Sequence, residues 1–175
     1  MKLINSLLIC IVVSLTGCVT SSIVHKSGDM GYDTITSAEG IVLTGSDGLS
    51  TPGKFQPPVE ITLIAKTDST NLRMGYAADQ IIFNWEGDMD QLRVDGGPAH
   101  GLNKVGAGRI PQKEYVTIKW LVTTTNQTIH VDRELRFEHA GDYSQINKHI
   151  SVWPALGSTV TVKSLAVKRL GSSPR

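Results

Sequence analysis

The sequence predicts an all-β chain built as a two-sheet antiparallel sandwich, on three observations. Residues 115 to 139, YVTIKWLVTTTNQTIHVDRELRFEH, read as two successive β-hairpins. About ten short segments of alternating apolar and polar residues are separated by turn formers. Beyond the N-terminal apolar run, no long stretch shows helical spacing. In the hairpin pair, Val116, Ile118, Trp120 and Val122 alternate with Thr117, Lys119, Leu121 and Thr123, so one face of the strand enters a core. Thr124 to Gln127 reverse the chain, and Ile129 and Val131 carry the apolar face back. Asp132 and Arg133 make a second tight turn, after which Leu135 and Phe137 continue the inward alternation.

The chain has 175 residues, of which 40% are hydrophobic. A domain of ~150 residues buries roughly 70% of its unfolded surface, so one core suffices without disulfide or metal. There are 17 basic and 16 acidic residues, and losing Lys2 with a signal peptide would leave 16 against 16. That balance excludes a global pull toward nucleic acid or anionic lipid and leaves only local patches. Both cysteines, Cys10 and Cys18, fall in the N-terminal segment, so the folded part has no thiol for a disulfide or a metal.

Lys2 followed by LINSLLICIVVSL has the layout of a secretory signal over residues 1–17. The run is too short for a comfortable spanning helix, which needs about 20 apolar residues. Leu15, Thr16, Gly17 and Cys18 resemble the lipobox of bacterial lipoproteins, whose cysteine is lipid-modified and becomes the mature N-terminus. The resemblance implies acylation of Cys18, palmitate included, and a location in the cell envelope. It implies the outer membrane if the cell is Gram-negative, because Val19 is not the aspartate that marks inner-membrane retention. The membrane is then a partner only through the lipid anchor. Residues 18–33 are polar and small-residue rich, which predicts a flexible tether in which His25 is solvated.

The domain is expected over residues 34–170, followed by a tail at 171–175. AEGIVLTG predicts a first strand, and the loop GSDGLSTPGKFQPP separates it from the next. There Val59, Ile61, Leu63 and Ala65 alternate with Glu60, Thr62, Ile64 and Lys66. Further strands are predicted at Leu72–Met74–Tyr76, Ile81–Phe83–Trp85 and Leu92–Val94. Residues 96–111 hold five glycines and two prolines, which predicts a loop with little hydrophobic anchoring. After the hairpins come a strand around 150–153 and a last one over 159–170. In that last strand Val160 and Val162 are out of phase with Leu165 and Val167, so a β-bulge near Lys163 and Ser164 is expected.

Three segments together resemble the concanavalin A-like lectin and glucanase superfamily, the jelly-roll sandwich shared with laminin-G-type domains. They are IIFNWEGDMDQLRVDGG, the hairpin pair ending in IHVDRELRFEH, and STVTVKSLAVKRL. The hairpin turn resembles a segment that ends in Asp-Gly in such domains, with Arg133 in place of the glycine. The resemblance implies a two-sheet antiparallel jelly roll and specifies fold far better than activity.

Two groups of residues could carry chemistry. Asn84 and Glu86 are opposite in phase to Phe83 and Trp85, and Arg93 and Asp95 are opposite to Leu92 and Val94. If the two strands are neighbours, Asn84, Glu86, Arg93 and Asp95 share a polar face suited to sugar hydroxyls. Trp85 and Trp120 are in phase with core residues and are expected to pack inside, while the orientation of Trp153, Tyr143 and Tyr76 is left open. The second group is Glu86, Asp88 and Asp90 in WEGDMD. On one continuous strand these carboxylates would share a face. The resemblance implies that they could serve as the catalytic groups of a family 16 glycoside hydrolase, which needs two carboxyls about 5.5 Å apart. The same residues also read as a solvated acidic turn, or as weak Ca²⁺ ligands. The histidines have no zinc spacing, and no Gly-x-Ser-x-Gly elbow or phosphate loop is present.

The expected function is therefore non-catalytic binding of a glycan or another envelope component by an anchored β-sandwich without a cofactor. The alternatives are hydrolysis by the acidic segment, or a protein-interaction module whose patch contains Ile64, Ile82 and Leu121. No nucleic-acid partner is expected.

Overall fold

The computed structural model describes residues 23–28 and 32–171. The signal segment, Cys18 and residues 172–175 lie outside the described residues.

Twelve strands form two antiparallel sheets and no helix occurs among the described residues. The strands are β1 (Ile23–Gly28), β2 (Tyr32–Thr44), β3 (Leu49–Ser50), β4 (Val59–Thr67), β5 (Leu72–Gly75), β6 (Gln80–Phe83), β7 (Arg93–Asp95), β8 (Val116–Val122), β9 (Asn126–Val131), β10 (Glu134–Ala140), β11 (Ser151–Trp153) and β12 (Thr159–Arg169). One sheet has the order β1-β2-β12-β4-β8-β9-β10 and the other β3-β11-β5-β6-β7. Their inner faces pack together as a jelly-roll sandwich. Chain neighbours are often not sheet neighbours: β12 sits between β2 and β4, and β11 between β3 and β5.

The core follows the alternation. Val59, Ile61, Leu63 and Ala65 of β4, Val116, Ile118, Trp120 and Val122 of β8, and Val160, Val162, Leu165 and Val167 of β12 are all buried from one sheet. Leu72, Met74, Ile81, Phe83, Val94 and Val152 are buried from the other. Each buried Val, Leu, Ile, Met or Phe side chain among them contributes roughly 1.5–3 kcal/mol by leaving water. The Trp120 ring meets Tyr76 edge-on at 6.2 Å. Its Nε1 donates to Gln127 Oε1 at 2.9 Å, so the one polar atom of the indole is satisfied inside the core.

The turn Asp132–Arg133 places both residues at positive φ, 48° and 75°, the backbone of a primed two-residue hairpin even with arginine in the second place. The expected bulge in β12 is present. Pairing with both neighbours slips between Val162 and Ser164: Lys163 is the extra residue against β4, whereas against β2 residues 37–40 bulge opposite it, and Leu165 and Val167 return to the core.

Three expectations need correction. Residues 23–28 are not tether but a strand, paired with Thr34, Ile35, Thr36 and their neighbours along β2. The polar sequence hid it because an edge strand is held by backbone bonds and can lack an apolar stripe. The 96–111 segment is anchored after all: Ala99, Ala107 and Ile110 are buried, and Gly108 lies so close to the Gln91 backbone that a Cβ would collide with it. Gln127, expected in a turn, belongs to β9 and is buried beneath Trp120.

Tyr143 is fully buried, with its hydroxyl 2.6 Å from His139 Nδ1. Burial pushes its pKa up to about 12. The folded state thus holds the phenolic proton more tightly than the unfolded chain does. The resulting stability is fully present below the unfolded value of about 10 and is lost as pH rises through the folded one. Denaturant midpoints should therefore fall on the alkaline side in the native chain and fall less steeply in Tyr143→Phe. Parallel alkaline limbs would show that Tyr143 does not control this loss.

Candidate functional site

The polar face lies on the outside of the five-stranded sheet, and its composition differs from the sequence expectation. β6 pairs with β5 and with β7, setting Arg73, Ile82 and Arg93 in one row and Gln80 beside Asp95 in the next. β11 extends the first row with Trp153, opposite Arg73, and the second with Ser151, opposite Gly75. Ser50 Oγ and Ser151 Oγ are 2.8 Å apart at the far edge. Outward positions of strands whose alternate residues are core members cannot turn inward without losing register, so the sheet itself fixes this layout.

A continuous hydrogen-bonded network runs across these strands. Arg73 Nε and Nη2 donate to Asn71 Oδ1 at 3.2 and 2.9 Å, and Nη1 donates to Gln80 Oε1 at 3.0 Å. Gln80 Nε2 donates to Asp95 Oδ2 at 2.7 Å. Arg93 Nε donates to both Asp95 oxygens, at 3.1 and 2.9 Å. Glu86 closes the other side, with Oε2 3.6 Å from Arg73 Nη2. Two guanidinium groups are thus matched by two carboxylates, and the face is close to neutral. Each group is held by its neighbours, which limits the rotamer entropy lost when a ligand arrives. Arg93 makes its hydrogen bonds through Nε, leaving the Nη donors without a hydrogen bond among the described residues.

Aromatic rings flank the network. The Arg93 guanidinium lies over the Trp85 ring at 4.8 Å, and the indole packs against Gly87, where a Cβ would collide with it. Trp85 Nε1 is shielded from water and has no hydrogen-bond partner among the described residues. On the other flank Trp153 lies against Gly75, whose missing Cβ gives the ring room. Beside it a cavity of about 190 Å³ is lined by Asp79, Lys148, His149, Ser151 and Trp153.

Of the four predicted ligand residues, Glu86, Arg93 and Asp95 meet on this face and Asn84 does not. Asn84 is fully buried. Its Nδ2 donates to the Ser69 and Ile110 carbonyls at 3.2 and 3.0 Å, and its Oδ1 accepts the Ile110 N–H at 2.8 Å. With φ at 49°, Asn84 is a clasp that ends β6 and pins the glycine-rich loop. The same turn puts Trp85 on the outer face instead of in the core, because alternation stops where the backbone enters the left-handed region.

That break also undoes the continuous strand expected for Glu86, Asp88 and Asp90. β6 ends at Phe83, and the three carboxylates go to different partners. Glu86 faces Arg73, Asp88 Oδ1 accepts the Asp90 N–H at 3.0 Å, and Asp90 pairs with Arg109 at 2.6 Å. The hydrogen bond from Arg109 pairs two exposed charges and raises the arginine pKa. Among the described residues, no group of three or more His, Cys, Asp or Glu is placed to hold a metal ion. The apolar trio is dispersed as well: Ile64 and Leu121 belong to the seven-stranded sheet, whereas Ile82 is buried in the other.

Arg73, Gln80 and Trp153 were missed. Arg73 alternates with Leu72 and Met74, and Gln80 precedes the apolar run of β6, so their outward phase was readable. Their adjacency was not, since it depends on which strands pair.

No family model and no curated protein matches the chain. Solved structures do. The galectin LEC-6 of Caenorhabditis elegans superposes with a TM-score of 0.54 at 10% identity, covering 82% of this chain and 100% of that one. The β-glucanase of Bacillus licheniformis gives 0.55 at 10% identity, covering 83% and 82%. The exoplasmic/lumenal domain of VIP36, in a form bound to Ca²⁺ and mannose, gives 0.53 at 9% identity, covering 90% and 82%. At such identities the likeness shows the fold alone: a two-sheet antiparallel sandwich like those of the galectin, the glucanase and the VIP36 domain.

Proposed function

We propose that the sandwich is a non-catalytic glycan-binding module, held at the cell envelope by acyl chains on Cys18, and on the outer membrane if the cell is Gram-negative. The observation that carries the binding reading is the network Glu86–Arg73–Gln80–Asp95–Arg93 between Trp85 and Trp153. Directed donors and acceptors on a rigid sheet suit hydroxyl groups, and indole faces and edges suit the C–H side of a sugar ring. Both arginines are already matched by carboxylates, so the face favours neutral sugars over anionic ones. Solved structures of the same fold include a galectin, a glucanase, a transglycosylase in complex with NAG and a mannose-bound form of VIP36, which agrees with a sugar ligand without identifying it.

The rival reading is a glycoside hydrolase that uses Glu86. A glycan and cell-wall polysaccharide array, with released reducing ends read from the same wells, separates the two. The expected result is retention without release, and Glu86→Gln should weaken retention by only a few-fold because the amide keeps the size of the carboxylate and an oxygen facing Arg73. Release by the native chain that disappears in Glu86→Gln would replace binding with catalysis. Ca²⁺ as a helper is testable in the same wells: chelator is expected to leave retention unchanged.

A further inference from the structure

We infer that a second surface, at one end of the outer face of the seven-stranded sheet, rests on an anionic lipid membrane and turns the glycan face away from it. The lipid-proximal placement rests on the proposed anchoring at Cys18; the chemistry of the surface does not. Tyr115 and Val42 are large apolar side chains left 39% and 58% exposed. Lys66 Nζ lies 4.9 Å from the Tyr115 ring centre and Lys163 Nζ 5.7 Å from it. Two ammonium groups on one ring repel each other. Among the described residues neither has a carboxylate within ion-pair distance. A tyrosine between two unpaired lysines, with an exposed valine nearby, has the composition of a membrane interface. The ring and the lysine stems suit the headgroup boundary, and the ammonium groups suit phosphate.

The fold builds this patch deliberately. The bulge in β12 lifts Lys163 out of the ladder. Opposite it β2 turns through Gly40 at φ 91°, where a Cβ would collide with Thr161 and touch the Tyr115 hydroxyl. Thr161 pairs with both Val42 and Lys66, which sets those two on one rung across β2, β12 and β4.

Position agrees with composition. β1 begins at Ile23 opposite Ser37, and the next rung runs Thr36, Ser164, Ile64, Thr117 across four strands. Lys163, Lys66 and Tyr115 all lie just beyond that rung, on the side from which the chain enters β1. Only five residue steps separate Cys18 from Ile23, a covalent reach of at most ~17 Å. An acylated Cys18 therefore holds this end of the sheet close to the lipid. The acidic residues nearest in sequence are Glu39 and Glu114. With them alongside, the patch supplements an anchor and does not replace it. Because the glycan face belongs to the opposite sheet, seating this surface on lipid exposes the network to the space beyond.

The test uses the processed chain as cells yield it, reconstituted in vesicles of phosphatidylglycerol with phosphatidylethanolamine or of phosphatidylcholine alone. Amine-reactive labelling of individual lysines is read by mass spectrometry. Each lysine at an anionic surface gains about fivefold in association. Labelling of Lys66 and Lys163 should fall about that much in anionic vesicles and recover at high salt. Lys148, on the other sheet's side, should label alike in both. Equal labelling of Lys66 and Lys163 in the two vesicle types overturns the inference. The mass of Cys18 reports anchoring separately. If it carries no acyl chain, the same chain at saturating anionic lipid decides the matter, with protection upholding the surface and its absence rejecting it.

Discussion

Asn84→Ala is expected to lower the unfolding free energy by about 3 kcal/mol, a drop of roughly 10 °C in melting temperature for a domain of this size. Three hydrogen bonds disappear, and they leave the buried Ile110 N–H and carbonyl without partners. Each orphaned group costs about 1–3 kcal/mol. Alanine must also adopt the positive φ that asparagine tolerates, which adds about 1 kcal/mol. Asn84→Gly removes that backbone strain while losing the same bonds, so it should fall between native and alanine. Calorimetry and glycan retention measured together decide the residue's role. A stable Asn84→Ala chain that no longer binds sugar would return Asn84 to the ligand-binding set and refute the clasp.

Arg93→Met should do the opposite. Methionine keeps an apolar stem against Trp85 and removes the Nη donors, which make no hydrogen bond among the described residues. The expected loss in glycan affinity is about 2 kcal/mol, roughly thirtyfold, for hydrogen bonds made by a charged group. Stability should change little, because the Arg93–Asp95 pair is partly exposed and such pairs contribute at most about 1 kcal/mol. Affinity within a factor of two of native, measured by calorimetric titration with whichever array glycan is retained, would remove this face from consideration.

The contrast between Asn84 and Arg93 shows how far the sequence could be read. Strand alternation is local, so Arg93 and Asp95 could be placed on an outer face from their own segment. So could the inward set of β4 and β8 and the bulge at Lys163. The same rule failed at Asn84, because one residue at positive φ ends the alternation and sends Trp85 outward. Nothing in the letters NWEGD distinguishes a strand that continues from one that stops there. The acidic trio was misread for the same reason: its common face presupposed a strand that ends at Phe83.

The all-β class, two buried faces, the hairpin pair and the phase of most strands can be read from the residues alone, because side-chain burial in a strand repeats every two residues and needs no partner to be seen. That β12 lies between β2 and β4, that β1 is a strand, and that Arg73, Gln80 and Trp153 join Glu86, Arg93 and Asp95 follows from the folded chain and not from any one segment. Strand order is a choice among long-range pairings, fixed by how two whole sheets bury each other, and no short stretch of sequence contains it.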